Sequence, residues 1–288
     1  MRVSISELTT LHVPFDEELE LFSSLGVAGI GIFEPKLAEG RDEESVRRLQ
    51  DSGLRATVCI PGMLSVLPLP EFEGPGDPAE RVDALCAAIR RLSAFDPVTT
   101  MCLTGPRGSF EESEAREVVV EGLRRIARAA AEAGVPIGVE PIHASARDRF
   151  TLVSTIRETV ELIEEVGEPN LGIMFDTWHH WDAPNLVDDI RREAHRFVPA
   201  IHVDDWRDPT RGWSDRAVPS EGIIDLPGIF GALEAAGWDG WADVEIFSDD
   251  GALVADYPDS LWRVEPRELV RRSKDGVERA WQRRTGPT

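Results

Sequence analysis

The sequence predicts an α/β fold, a single closed (β/α)8 barrel in which eight parallel strands alternate with eight helices. Short apolar, β-rich runs alternate with longer stretches of helical periodicity along the chain. Strands that are buried on both faces read as continuous apolar runs, as these do. No Ser/Gly/Pro-rich linker interrupts the pattern, and a chain of 288 residues suits one barrel of about 250 residues. We therefore expect one domain over residues 1–288.

The first four strand–helix units fill the N-terminal half of the chain. Their strands are predicted at 2–8, 27–34, 54–61 and 97–105, and their helices at 15–26, 42–53, 78–95 and 113–134. Gly26 marks the end of the first helix because glycine readily adopts the conformation that stops a helix. No G-x-G-x-x-G follows the first strand, so the usual sign of a dinucleotide-binding fold is missing.

The last four units follow the same alternation. Their strands are predicted at 135–142, 170–178, 200–206 and 241–247, and their helices at 154–167, 185–198, 226–237 and 264–284. Two long loops, 61–78 and 207–224, follow the third and seventh strands. In a barrel both loops lie at the mouth formed by the carboxyl ends of the strands, where substrate contacts are built.

Charge and cysteine content exclude several classes of protein. The net charge is -22, from 53 acidic and 31 basic side chains, which disfavours binding to nucleic acid or to an anionic membrane surface. Three scattered cysteines, Cys59, Cys86 and Cys102, do not form a disulfide framework. The N-terminus does not resemble a signal peptide, and no stretch approaches the roughly 20 apolar residues of a membrane span. We expect a cytoplasmic protein.

Each of the last four strands ends in a side chain that can bind a metal: Glu140, Asp176, His202 and Glu245. Adjacent strands lie about 4.8 Å apart, so these groups should converge at the mouth. Three carboxylates at such a distance raise one another's pKa values unless a cation holds them. Three oxygen ligands and one nitrogen ligand favour one divalent metal, with Mn²⁺, Mg²⁺ or Co²⁺ ahead of Zn²⁺. The alternative is a hydrogen-bonded ionic network without a metal.

These residues lie in four short motifs, VEP with Glu140, DTWH with Asp176 and His179, IHVDD with His202, and VEIF with Glu245. With them the chain resembles the xylose isomerase-like TIM-barrel family of sugar isomerases and epimerases. In that family, residues at the four places bind one divalent metal, and the two glutamates also move protons. Residues 215–247 look most like inosose (2-keto-myo-inositol) isomerases, although the turn PSEG has a serine at position 220 where a glycine is expected.

The resemblance implies a metal-dependent isomerase or epimerase of a ketose or inosose. A metal that chelates a carbonyl and the neighbouring hydroxyl acidifies the carbon-bound proton between them and stabilises the enediolate. Glu140 and Glu245 would remove and return that proton, while Asp176 and His202 would be mainly ligands. The partner is then a small sugar or cyclitol. A homo-oligomer is compatible with the resemblance, because family members are often dimers or tetramers.

Four further residues are candidates for substrate binding. His179 fits the family's D-x-x-H pattern and is predicted near a substrate oxygen, with a packed surface histidine as the alternative. Arg216 is predicted to bind substrate hydroxyls or a carboxylate, or else to pair with Asp215 at the rim. Glu34 ends the second strand and suits a substrate hydrogen bond or an ion pair. His12, on the first βα loop, is a candidate because of its position.

Three other functions stay open from the sequence. Inosose and dehydroshikimate dehydratases share the four ligands, because an enediolate can expel a β-hydroxyl instead of being reprotonated. A DNA-repair enzyme related to endonuclease IV needs extra histidines near the third and fourth strand ends, which here read CIPGML and CLTGPR. A non-catalytic sugar-binding barrel would not need the intact pair Glu140 and Glu245.

Overall fold

Eight parallel strands form the central sheet of this computed structural model, which describes residues 1–284. The strands of the described region are β1 (Arg2–Ser6), β2 (Gly29–Phe33), β3 (Arg55–Ile60), β4 (Thr99–Cys102), β5 (Ile137–Val139), β6 (Leu171–Ile173), β7 (Ala200–Val203), β8 (Asp205–Trp206), β9 (Arg216–Ala217) and β10 (Trp241–Val244). The order in the sheet is β6-β5-β4-β3-β2-β1-β10-β7, while β8 and β9 pair separately as an antiparallel ribbon.

The sheet closes into a barrel where β6 and β7 meet. Parallel bridges join Ile173 to Phe197 and Asp176 to His202. In the second bridge the backbone N–H of His202 donates to the carbonyl oxygen of Phe175 at 2.9 Å. The predicted (β/α)8 barrel, a TIM barrel, is therefore confirmed.

Helices follow the strands and cover the outside of the sheet. They are α1 (Phe15–Ser24), α2 (Asp42–Ser52), α3 (Pro78–Leu92), α4 (Glu112–Glu132), α5 (Arg147–Phe150), α6 (Ile156–Val166), α7 (Thr177–His180), α8 (Leu186–Glu193), α9 (Leu226–Ala235) and α10 (Pro266–Arg283). The eight predicted helices are present, and α5 and α7 are short additions within the mouth loops. None of the helices in residues 1–284 combines the length and apolar character that crossing a bilayer requires.

Local sequence sets the helix ends. The Thr155 hydroxyl accepts a hydrogen bond from the backbone of Glu158 at 3.1 Å, and the Glu158 carboxylate accepts one from the backbone of Thr155 at 3.2 Å. This reciprocal capping box begins α6. Gly26 follows α1 with a φ of 66°, a conformation that a side chain would disfavour, and it ends the helix as predicted.

The strands are shorter than the sequence predicts, because the chain turns away at the mouth. The fourth strand was expected to reach residue 105, but β4 ends at Cys102. Beyond it, the Leu103 N–H donates to the Leu64 carbonyl at 2.8 Å, and the Leu103 carbonyl accepts from Val66 N–H at 3.2 Å. Leu103 thus pairs with the loop over residues 61–78 and fixes that loop across the mouth.

Two kinds of packing fill the molecule. Between sheet and helices the core is apolar, with fully buried residues such as Phe22, Ile30 and Leu123. Inside the barrel, below the mouth, the packing is polar. The Asp243 carboxylate accepts hydrogen bonds from the hydroxyls of Ser4 at 2.5 Å and Thr57 at 3.2 Å. This buried carboxylate lies directly beneath the residues of the site.

Candidate metal and active site

The four predicted ligands converge at the carboxyl ends of neighbouring strands. Glu140 directly follows β5 and Asp176 follows β6, while His202 lies in β7 and Glu245 directly follows β10. Each residue is at most 5 % exposed, and each offers one ligand atom within 4.8 Å of the others. The predicted convergence is therefore present in the structure.

His202 lies at the centre of this group. Its Nδ1 atom is 2.9 Å from Oε1 of Glu140 and 3.5 Å from Oε2 of Glu245. Its Nε2 atom points the other way, 3.9 Å from Oδ2 of Asp243. The nitrogen that faces the two glutamates is therefore Nδ1, and the opposite nitrogen faces the carboxylate beneath the site.

Asp176 uses its two carboxylate oxygens for different contacts. Oδ1 accepts a hydrogen bond from the Trp178 backbone at 2.7 Å and so begins α7. Oδ2 faces the site, where Nη1 of Arg216 donates to it at 2.9 Å. The capping contact fixes the carboxylate so that one oxygen stays directed at the site.

Arg216, from β9, is buried among acidic groups. Besides Asp176, its Nη1 contacts Oε2 of Glu245 at 3.1 Å and Oδ2 of Asp204 at 2.5 Å. The rim salt bridge between Arg216 and Asp215, an alternative from the sequence, is not what the structure shows. Asp215 instead pairs with Arg207 and Arg211. The positively charged guanidinium of Arg216 therefore lies within the site, not at the rim.

Burial and crowding shift the pKa values of the acidic groups. Burial raises the pKa of Glu245 to about 7, although the charges of His202 and Arg216 oppose the shift. Burial also raises the pKa of Glu140, against its hydrogen bond with His202. Burial and the nearby Asp176 raise the pKa of Asp204 well above its usual value. A carboxyl with a pKa near neutrality can both accept and return a proton at physiological pH.

The pKa shifts of Asp176 and His202 favour the charged form of each side chain. Burial opposes ionisation of Asp176, but Arg216 and the nearby histidines outweigh it and lower the pKa of this carboxyl. Burial likewise opposes protonation of His202, but Glu245 and Glu140 raise the pKa of its imidazole to about 10. In the absence of a metal, the imidazolium of His202 is thus one of the charges that balance the carboxylates.

The donor set fits one divalent cation. Three carboxylates and one imidazole are buried together at separations that a single ion can span. Repulsion among the carboxylates is what such an ion relieves. Nε2 of His202 has no hydrogen-bond partner among residues 1–284, and neither has Oδ2 of Asp243. A proton on Nε2 would face Asp243 and leave Nδ1 free to bind a metal.

His179 is also at the site. Its Nδ1 accepts a hydrogen bond from the His143 backbone at 3.2 Å, which places the ring proton on Nε2. Nε2 lies 3.5 Å from Oδ2 of Asp176. Burial lowers the pKa of His179 well below its usual value, so the ring is neutral. His179 therefore presents an N–H group beside the predicted ligands.

Glu34 and His12 lie away from this cluster. The Glu34 carboxylate accepts a hydrogen bond from the Gly62 backbone at 2.8 Å and pairs with Arg91 at 3.2 Å. The His12 side chain is 51 % exposed and lies 3.0 Å from Asp250. Neither residue lines the cavity above the four converging side chains.

The charged and imidazole side chains that line this cavity all lie at its floor. Glu140, His179, Arg216 and Glu245 line the floor, and thirteen apolar residues line the rest. The aliphatic part of the wall comes from strand ends and the loops beyond them, including Leu8, Ile60, Met101, Leu103 and Ile142.

Aromatic side chains complete the wall. Phe247 lies with its ring centroid 5.5 Å from that of Trp213, and Trp213 lies 5.1 Å from Phe150. Phe72, from the loop over residues 61–78, lies 6.1 Å from Phe150. The guanidinium of Arg216 lies 4.8 Å from the Phe247 ring, so this aromatic wall begins directly at the floor.

Two acidic residues and the apolar wall belong to this site although the motifs did not predict them. Asp204 lies two positions after His202, and Asp243 two positions before Glu245, so strand alternation places each pair on one side. The positions of Asp204 and Asp243 could therefore have been predicted from the sequence. The aromatic wall was not readable, because Phe72, Phe150 and Trp213 come from loops whose paths depend on tertiary contacts.

This protein is a (β/α)8 barrel in which three carboxylates and an imidazole that could hold a metal ion converge at the carboxyl ends of the last strands. Residues 19–275 match the family model of the xylose isomerase-like TIM barrel, and the chain belongs to that family. The family that the motifs suggested is confirmed.

The chain is similar to several curated proteins of related activities. It is 25 % identical over 167 residues to the inosose isomerase of Halalkalibacterium halodurans, a match that covers 57 % of this chain and 54 % of the relative. It is 26 % identical over 245 residues to the 3-dehydroshikimate dehydratase of Pseudomonas aeruginosa, covering 81 % of this chain and 36 % of the relative. The chain thus spans about half the inosose isomerase and less of the dehydratase.

Solved structures share the fold over nearly the whole chain. Protein SMc04130 of Sinorhizobium meliloti superposes with a TM-score of 0.81 at 27 % identity and covers 99 % of this chain and 98 % of its own. The IolI protein with a bound zinc atom superposes with a TM-score of 0.79 at 18 % identity and covers both chains completely. Together with the inosose isomerases, these neighbours bear out the resemblance.

Proposed function

We propose that this protein is a divalent-metal-dependent isomerase or epimerase of a ketose or inosose. The observation that carries the proposal is the pair of buried glutamates, Glu140 and Glu245. They come from strands separated by β6 and β7 around the barrel, and both carboxyl groups have raised pKa values. Two neighbouring carboxyl groups of this kind in the floor of one cavity suit removal and return of a carbon-bound proton.

Glu140, Asp176, His202 and Glu245 would hold the cation, with Mn²⁺ favoured by the oxygen-rich donor set and Mg²⁺, Co²⁺ or Zn²⁺ as alternatives. A bound divalent cation would polarise the substrate carbonyl and lower the pKa of the neighbouring C–H group. Glu245 would take the proton, and the same carboxyl or that of Glu140 would return it.

The remaining polar groups of the floor would bind and orient the substrate. His179 would donate its Nε2 proton to a substrate oxygen, because its other nitrogen is already engaged with the His143 backbone. Arg216 would donate from the same side, held in place by Asp204 and Asp176. Glu34 and His12 are not part of this proposal, since neither lines the cavity.

The test is proton exchange in D₂O. Protein stripped with chelator and reloaded with Mn²⁺ should exchange the proton next to the carbonyl of a ketose or inosose, as read by NMR. The chelated protein should not. Glu245→Gln should lower the exchange rate by about 100-fold or more, while Glu278→Gln, a change at a partly exposed position on α10 away from the site, should not alter it. Exchange that persists in chelator would contradict the proposal.

A dehydratase is the second candidate, favoured by the dehydroshikimate dehydratase match over 81 % of this chain. The same glutamate would remove the proton and then give it to a β-hydroxyl, which would leave as water while the C–O bond breaks and a C=C bond forms. Mass spectrometry distinguishes the two reactions, because only the dehydratase product is lighter by one water. An endonuclease is disfavoured, since within residues 1–284 one cluster of at least three metal-capable side chains is found.

A further inference from the structure

The cavity above the site is divided into a polar floor and an apolar wall. Its hydrogen-bonding side chains are the four floor residues and one indole, that of Trp213. The Nε1 atom of Trp213 is buried and has no hydrogen-bond partner among the described residues. Away from the floor, a substrate would therefore find at most one side-chain hydrogen-bonding group in this wall.

The apolar wall extends from the floor to the rim of the cavity. From the guanidinium of Arg216 it continues through Phe247 and Trp213 to Phe150, each step about 5 Å. At the rim, Leu253 lines the cavity and is 38 % exposed, and its neighbour Val254 is 50 % exposed. An apolar surface thus runs from the polar floor to the solvent.

Such a wall discriminates against hydroxyl groups. A hydroxyl that leaves water for an apolar surface loses its hydrogen bonds without replacement. An apolar ring or chain in the same place gains from leaving water and packs against the aromatic rings. A sugar or cyclitol with a hydroxyl on every carbon can hydrogen-bond to the floor residues, but its other hydroxyls find no hydrogen-bond partners against most of the wall.

We propose that the substrate is an α-hydroxy ketone whose body beyond the reacting carbonyl and hydroxyl is apolar, as in a deoxygenated or alkylated ketose or cyclitol. This inference rests on the proposed metal-dependent proton transfer, because it assumes that the carbonyl and its neighbouring hydroxyl bind at the floor. The ring or alkyl part then lies against Phe247, Trp213 and Phe150.

Binding of two matched ligands tests the inference independently of turnover. Inosose and 2-hydroxycyclohexanone share a six-membered ring, a carbonyl and one neighbouring hydroxyl, but the second lacks the other four hydroxyls. Isothermal titration of Mn²⁺-loaded protein should give a dissociation constant at least about tenfold lower for 2-hydroxycyclohexanone. Tighter binding of inosose, equal binding, or binding of neither ligand would overturn the inference.

A wall variant should change the preference in a defined direction. Met101→Gln keeps nearly the same shape and adds an amide to the wall, so the affinity ratio should shift toward inosose by about tenfold. Ile223→Gln, an exposed position 47 % accessible and outside the cavity, should leave the ratio unchanged. If Met101→Gln does not fold, Leu64→Gln in the mouth loop replaces it. An unchanged ratio in the folded wall variant counts against the inference.

The two proposals fail separately. If 2-hydroxycyclohexanone binds tightly but no proton exchanges in D₂O, the proposed reaction is wrong and the preference for an apolar body stands. If inosose binds more tightly and exchanges its proton, the reaction stands and the apolar body is wrong.

Discussion

Nε2 of His202 lies 3.9 Å from Oδ2 of Asp243, and neither atom has a hydrogen-bond partner among the described residues. Asp243 is held from below by the hydroxyls of Ser4 and Thr57. A carboxylate in this position favours the His202 tautomer with its proton on Nε2, so that Nδ1 faces Glu140 and Glu245. Asp243 would therefore orient the His202 ring for binding a metal through Nδ1.

Replacing Asp243 should weaken metal binding without removing a ligand. In Asp243→Asn the amide can donate to Nε2 and so favour the opposite tautomer, and we expect Mn²⁺ affinity to fall by about 10- to 100-fold. Competition titration against a coloured chelator measures this change. Asp239→Asn, at an exposed position two residues before β10 begins, is the control. Equal affinity in all three proteins would show that Asp243 only fills the barrel.

Metal binding should stabilise the fold through the four converging side chains. At a Mn²⁺ concentration about 100 times the dissociation constant, binding contributes about 2.7 kcal/mol, which should raise the melting temperature by about 5 °C or more. Asp176→Asn keeps the helix-capping oxygen but loses the ligand charge, and the shift should shrink or vanish. Asp182→Asn, half exposed nearby, should keep it. A shift of the same size in Asp176→Asn would place the bound ion elsewhere.

The buried Arg216 should matter for stability as well as for binding. Arg216→Met leaves Asp204 and Asp176 buried without their cation, and the metal-free protein should lose about 3–5 kcal/mol of unfolding free energy. The double variant with Asp204→Asn should lose less, because one uncompensated carboxylate is gone. Urea denaturation in chelator measures both. Arg48→Met, which breaks an exposed pair with Asp16, should cost at most about 1 kcal/mol. Additive losses in the double variant would contradict the pairing.

The barrel and the central residues of the site could be predicted because they depend on short-range patterns. A polar residue that ends an apolar strand of a parallel barrel must lie at the mouth, so Glu140, Asp176, His202 and Glu245 were identified by position alone. The backbone conformation of the PSEG turn could also be predicted from a short motif. Ser220 stands where a glycine was expected, and its φ of 66° shows that the backbone keeps the glycine-like conformation. Its hydroxyl donates to the Gly276 carbonyl at 2.8 Å, which offsets part of the strain.

Side chains that follow a strand in a loop could not be placed in the same way. Glu34 and His12 both come after strands, yet one turns to Arg91 and the other to Asp250. Their directions depend on loop backbone conformation and on partners from distant parts of the chain. The same holds for Phe150 and Trp213, which meet only in the folded protein. The four converging side chains were thus readable from the sequence, whereas the aromatic residues of the cavity wall were not.

The buried carboxyl of Glu18 should make stability depend on pH, away from the metal site. Burial and the neighbouring Glu7 raise the pKa of Glu18 to about 10, although Lys36, 2.6 Å away, opposes the shift. The folded protein keeps a proton that the unfolded chain releases above about pH 4.5. The stability that this proton provides is therefore full below about pH 4.5 and is lost as the pH rises toward 10.

Glu18→Gln imitates the protonated form, so its unfolding free energy relative to the natural protein should increase between pH 6 and 9 by at least about 1 kcal/mol. Urea denaturation at both pH values measures this, with Glu20→Gln on the exposed face of α1 as control. A relative stability that does not change with pH would mean that Glu18 is ionised in the folded protein and that Lys36 alone balances both carboxylates.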